Sequence, residues 1–161
     1  MLFAFAVSWR SPNIRWLMFS LILMKTLDVV CYGSIIQWGT GYYFTISVFD
    51  FFIIMLIMFR QNTARIIADL SIPGVSKFAR ESSEKYKLTA NEVAVIIIFT
   101  CSIFVNFASI IERLIRHHTS LDPMFFYTAF PLLKFALSVL MLLVLLSVSI
   151  NGARNLYKDI D

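Results

Sequence analysis

Residues 89–114 read TANEVAVIIIFTCSIFVNFASIIERL. From Val93 the run is almost wholly apolar and close to the roughly 20 residues a helix needs to cross a bilayer's hydrocarbon core. Ahead of it, Thr89-x-x-Glu92 is a capping box, in which each side chain satisfies the other residue's backbone N–H. The stretch predicts a membrane-spanning helix over residues 92–114.

Three further segments meet the same length criterion. Residues 14–37 are opened by Ser11-Pro12, an N-cap residue followed by the proline favoured in a helix's first position. Residues 41–59 follow the tight Gly39-Thr40-Gly41 connection. Residues 123–150 begin at Asp122-Pro123, with Asn151-Gly152 as the expected stop. Short connections make neighbouring helices antiparallel by default. The expected fold is therefore an all-α polytopic membrane protein, an antiparallel four-transmembrane-helix bundle in one domain over residues 1–161. Composition agrees: of 161 residues, 59% are hydrophobic and 15% charged, with a mean hydropathy of +0.78. Soluble domains hold about 45–50% apolar and about 25% charged residues. Disorder, a disulfide scaffold and an ordinary soluble enzyme are thereby excluded as classes. Residues 1–9 are apolar, too short to span and without a basic region ahead, and read as an uncleaved interfacial segment.

The net charge of +4 is resolved by placing the basic residues. Arg10, Arg15, Arg60, Arg65, Lys77, Arg80, Lys85, Lys87, Arg154 and Lys158 fall on one side of a four-span chain. Arg113 and Arg116 fall on the other, and Lys25 and Lys134 lie inside spans. Ten against two is a strong positive-inside bias. It predicts both termini in the cytoplasm, or facing the matrix of an organelle. The surplus is thus a matter of orientation, and no nucleic-acid partner is expected. The loop over residues 60–91 is the one sizeable soluble part. After the Pro73-Gly74 break, Val75, Phe78, Ala79 and Tyr86 fall near one helical face among charged neighbours. Glu81 and Lys85 stand in the favourable i to i+4 order. A short amphipathic helix on the inner membrane surface is one reading; a solvated connector is the other.

Lys25, Asp28, Asp50 and Lys134 are the intramembrane charge cluster. Each charge at a span's centre opposes insertion by roughly 2.5–3.5 kcal/mol, so pairing or water access is expected. Lys25 and Asp28 are spaced to pair on their own helix. Asp50 has no basic partner within its span. Two acids and two bases can balance, all in the middle or outer half of the bilayer. Other polar residues line up with them: Ser102, Asn106, Ser109 and Arg113 on the third span, Tyr43 and Ser47 on the second, Tyr127 and Ser138 on the fourth, and Tyr32 on the first. One polar stripe per helix predicts a common polar interior in the outer half. Residues 51–59, 93–99 and 139–146 predict a dry, apolar plug in the inner half.

Familiar chemistry is missing from the pattern. Cys31 and Cys101 lie in separate spans and read as free thiols. His117 and His118 are adjacent in the last connection, and no histidine lies inside a span, which argues against a transmembrane haem. No phosphate-binding loop, dinucleotide fingerprint or catalytic triad can be assembled. No cofactor, metal or catalytic residue is predicted. An Arg15-Trp16-Leu17 opening, Asp50 in the second span, a loop of about thirty residues and Val93-Ala94 opening the third span resemble the YqhA-like family of small bacterial inner-membrane proteins. The resemblance implies four helices and a bacterial inner membrane, with no reaction attached.

Two functions follow from these features. In the first the chain is a non-enzymatic subunit of a homo-oligomer or larger membrane complex. Its charge cluster then fixes helix packing, and Gly33, Ala108 and Ala136 mark close contacts. In the second it is a small oligomeric ion or proton channel, gated at the apolar inner half with Asp50 as the titratable site.

Overall fold

The computed structural model describes residues 12–69, 74–84 and 87–158. Among these residues the regular structure is helical. Helix α1 spans Pro12–Ile35 and continues into a 3-10 turn, Ile36–Trp38. Helix α2 spans Thr40–Met58, α3 Arg60–Asp69, α4 Val75–Glu84, α5 Ala90–His118 and α6 Phe125–Lys158. Four stretches are long and apolar enough to cross a membrane: Asn13–Trp38, Thr40–Met58, Ala90–His118 and Phe125–Asn151. They correspond to the four expected spans, as an integral membrane protein requires. Residues 1–11, Lys85 and Tyr86 lie outside the described residues, and with them the interfacial segment, the Ser11 cap and the Glu81–Lys85 pair.

Local signals explain most helix limits. The capping box forms as read: Thr89 Oγ1 accepts from the Glu92 amide at 3.3 Å, and Glu92 Oε2 accepts from the Thr89 amide at 2.8 Å. Gly39 joins α1 to α2 at φ 59° and ψ −108°, a conformation that costs an L side chain energy but not glycine. Two expected ends moved. Helix α5 runs past Leu114 to His118, so His117 and His118 close its last turn instead of lying in the connection. With Arg116 they place cations or potential cations at the negative end of the helix dipole. Helix α6 continues through Asn151-Gly152 to Lys158, because one glycine inside a long apolar helix weakens it without ending it.

The start of α6 also differs from expectation. Its first residue is Phe125, and the exposed Asp122 is too far back to cap it. The Phe126 and Tyr127 amides donate instead to the two carboxylate oxygens of Glu112 on α5, at 2.5 and 3.0 Å. A side chain of the preceding helix thus satisfies two donors that a helix N-terminus leaves open. It also sets a negative charge against the positive end of the dipole.

Close backbone packing joins α1 to α2, α2 to α5 and α5 to α6; among the described residues α1 and α6 lack it. One core cluster gathers Leu17, Met18, Leu21 and Met24 of α1 with Ile53 and Ile57 of α2, Val95 of α5 and Val148 of α6. Of the residues expected to form an apolar plug, Ile53, Ile57 and Val95 are in this cluster, joined by α1 residues and Val148 from outside the expected ranges. Phe51, Phe52, Phe59, Val93, Val139, Leu140 and Leu142 point outwards and are exposed, where hydrocarbon can cover them.

Below the plug, the loop folds into two helices. Helices α3 and α4 pack together, with Ala64 and Ala79 buried around Trp16. Phe78 stacks on the Trp16 ring at 6.0 Å, while Lys77 and Arg80 are exposed. The Trp16 indole N–H donates to the Leu56 carbonyl at 3.1 Å, one of the last carbonyls of α2 left without an intrahelical partner.

Candidate functional site

The site is built on α2, α5 and α6. Asp50 and Ser102 are buried and Asn106 is fully so. Ser102, Asn106 and Ser109 succeed one another at intervals of 4 and 3, so they share one face of α5. That face is turned inward, and all three residues are buried. Helix α2 presents Asp50 to it.

The polar contacts form a short chain. Lys134 Nζ donates to Ser102 Oγ at 2.6 Å, and Ser102 Oγ donates to Asp50 Oδ2 at 2.5 Å. Asn106 Nδ2 also donates to Asp50 Oδ2, at 3.3 Å, and the Lys134 ammonium stands 4.0 Å from the same oxygen. The ammonium lies 5.5 Å from the Phe130 ring centroid as well, within reach of a cation–π attraction. Three helices are therefore tied at one level by a carboxylate, a hydroxyl and an ammonium. Such contacts are short where one partner is charged, the other here being the neutral Ser102 hydroxyl, and the low surrounding dielectric strengthens them.

Lys25 and Asp28 pair on their own helix at 2.8 Å, with 65% and 40% of their side chains exposed. They line the same cavity as Asp50 and Lys134 but are not hydrogen-bonded to that chain of contacts. The cavity, about 520 Å³, lies between α1 and α6 with α2 and α5 behind it. Tyr32, Tyr42 and Ser138 also face it. The expected common interior is thus two regions: a buried stripe on α5, and polar residues of α1 and α6 that border a cavity. The physical reason is spacing, since α1 and α6 do not close on each other.

The remaining stripe residues do other work. Ser47 is buried, but its hydroxyl donates to the Tyr43 carbonyl of its own helix, as Ser109 does to Val105 and Ser138 to Lys134. Tyr43 meets Phe130 edge-on at 5.1 Å. Arg113 is exposed and lies over the Gly39 turn, where a Cβ on residue 39 would come within 3.0 Å of its guanidinium. Tyr127 is exposed beneath the Arg116 guanidinium, 5.0 Å from its ring.

A second polar centre was not legible in the sequence. Arg60 Nη1 donates to Glu92 Oε1 at 2.7 Å, with 0% and 1% of the two side chains exposed. Arg60 Nη2 donates to Asn13 Oδ1 at 2.6 Å. Arg60, expected only among the orientation charges, thus belongs to a buried ion pair. Its signal was present only as position, a basic residue directly after a span. Glu92 serves twice, one oxygen on the capping box and the other on Arg60. Glu112, the cap of α6, was likewise unmarked.

Cys31 and Cys101 are free, and no group of three or more His, Cys, Asp or Glu among the described residues is arranged to hold a metal. No family model, curated protein or solved structure matches the chain.

Proposed function

We propose that the chain is a non-enzymatic subunit of a membrane assembly, a homo-oligomer or part of a larger complex, whose polar cluster sets how its helices pack. In this reading it is an antiparallel four-helix bundle of the kind found in the YqhA-like family, in a bacterial inner membrane with both termini cytoplasmic. Helix α4 then lies along the inner surface. The observation that carries the reading is the Lys134–Ser102–Asp50 chain, whose partners all come from the chain itself and join three helices. Interhelical hydrogen bonds of this type contribute about 0.6 kcal/mol each on average. Broad apolar surfaces remain for lipid or partners: Ile97, Phe104 and Ile111 recur at intervals of 7 along α5 and are all exposed. Gly33, where a Cβ would meet nothing within 4 Å, lies on such an open face.

Size and flux measurements test the reading together. Purified in mild detergent, the protein should run as a defined oligomer or with a stoichiometric partner, and it should conduct nothing in liposomes. Asp50→Asn should alter assembly or stability alone. The access of the cavity to Asp50 and Lys134 favours the second reading, an oligomeric ion or proton channel gated at Ile53, Ile57 and Val95. Conductance whose pH or ion dependence shifts in Asp50→Asn would establish that reading in place of the first.

A further inference from the structure

The cavity between α1 and α6 has the dimensions of a ligand site. Its volume of about 520 Å³ lies within the roughly 300–1,000 Å³ of small-molecule pockets, which are mostly apolar with a few polar groups. Its wall runs from Leu21 to Tyr32 on α1 and from Phe130 to Leu145 on α6. At about 1.5 Å per residue, that is a length of some 16–22 Å. A slender molecule lying along the cavity would meet both walls over that length.

The two ends of the cavity differ in chemistry. One is walled by Leu21, Met141 and Leu145, while Lys134, Ser102 and Ser138 lie further along. Each cation there is already answered, Lys25 by Asp28 at 2.8 Å and Lys134 by Ser102 at 2.6 Å and Asp50 at 4.0 Å. A charged head of either sign would meet a like charge in the same balanced set. An ammonium has three donors, and Lys134 directs one to Ser102, so a neutral oxygen acceptor can share it. Depth points the same way. Lys134 is nine residues from the start of α6 at Phe125, about 14 Å along the helix. In a bilayer core about 30 Å thick, that is near the centre, where a phospholipid's charged head is costly to place.

We propose that this cavity binds a neutral, single-chain amphiphile whose head carries carbonyl or hydroxyl oxygens. The head oxygens accept from Lys134 beside Ser138, and the tail lies along Leu21, Met141 and Leu145. A quinone with an alkyl tail and a monoacylglycerol share this chemistry. The site rests on the membrane placement of the helices and not on the proposed role in assembly.

The test uses the full chain in nanodiscs, with decylubiquinone and 1-decanoylglycerol as probes, each carrying a photoreactive diazirine in its tail. Saturable labelling of cavity-lining residues on α1 and α6 is expected from at least one probe; the probe that labels names the source. Lys134→Met should weaken its binding about tenfold, and Phe104→Leu on the outward face should leave it unchanged. The oligomeric state is read on the same samples, so a failed assembly and a failed site are separate results. Labelling that does not saturate, or that falls on outward residues such as Phe104 and Phe135, overturns the proposal. So does unchanged affinity in a folded Lys134→Met protein. If that variant does not fold, the labelling map of the unsubstituted chain decides alone. If neither probe labels and Leu137→Cys crosslinks two copies, another chain covers the cavity and the proposal falls.

Discussion

Gly39 and Arg60 show how much a single position can carry in a bundle this small. At φ 59° and ψ −108°, any L residue at 39 is strained, and strain of that kind amounts to about 1–3 kcal/mol. Gly39→Ala should therefore unfold at lower detergent or temperature by about that free energy. Gly33→Ala, inside α1 with open space around its Cβ, should match or exceed the parent stability, as alanine does for glycine in helices. Arg60 is a different case. Its charge is buried against Glu92, and removing one member of such a pair leaves the other unpaired, at about 3–5 kcal/mol. Arg60→Met should lose stability on that scale. Arg60→Met with Glu92→Leu should regain part of it, measured by unfolding in mixed micelles. The regain stays partial because Glu92 also holds the Thr89 cap.

Helix ends divide into those written locally and those supplied from elsewhere. The start of α5 is local: Thr89 and Glu92 stand three residues apart and cap each other, so the motif could be read from the sequence. The start of α6 is not. Its donors are satisfied by Glu112, fourteen and fifteen residues back, and nothing in Asp122-Pro123 announces it. Glu112→Ala should cost about 1–2 kcal/mol. The Phe126 and Tyr127 amides should then exchange faster while those deep in α6 do not, as hydrogen exchange would report. Glu112→Gln keeps one acceptor oxygen and should fall between the two. The loop between α2 and α5 followed the same division. Helix α4 was legible from the sequence spacing of Val75, Phe78, Ala79 and Tyr86. Helix α3 was hidden, because its buried face is only Arg60 and Ala64 and depends on Trp16 from another element.

At the scale of the whole molecule, the polar residues matter through the helices they join. Asp50 and Lys134 come from α2 and α6, which meet through Ser102 of α5. Unfolding free energies of Asp50→Asn, Lys134→Met and the double variant should therefore be non-additive, with a coupling of about 0.5–3 kcal/mol. Additive losses would mean that the two charges stabilise the bundle independently. The sequence by itself determined the four apolar segments, the capping box and the local Lys25–Asp28 pair. Each depends on bilayer thickness or on neighbours within four positions along the chain. Tertiary structure alone decided that Asp50 meets Ser102 and Asn106, that Arg60 meets Glu92 and that α1 and α6 leave a cavity between them. Those contacts join residues 32 to 56 positions apart or depend on the gap between helices. Successive helical residues point about 100° apart, so a small rotation of one helix about its axis replaces every partner. Only the packed bundle selects that rotation.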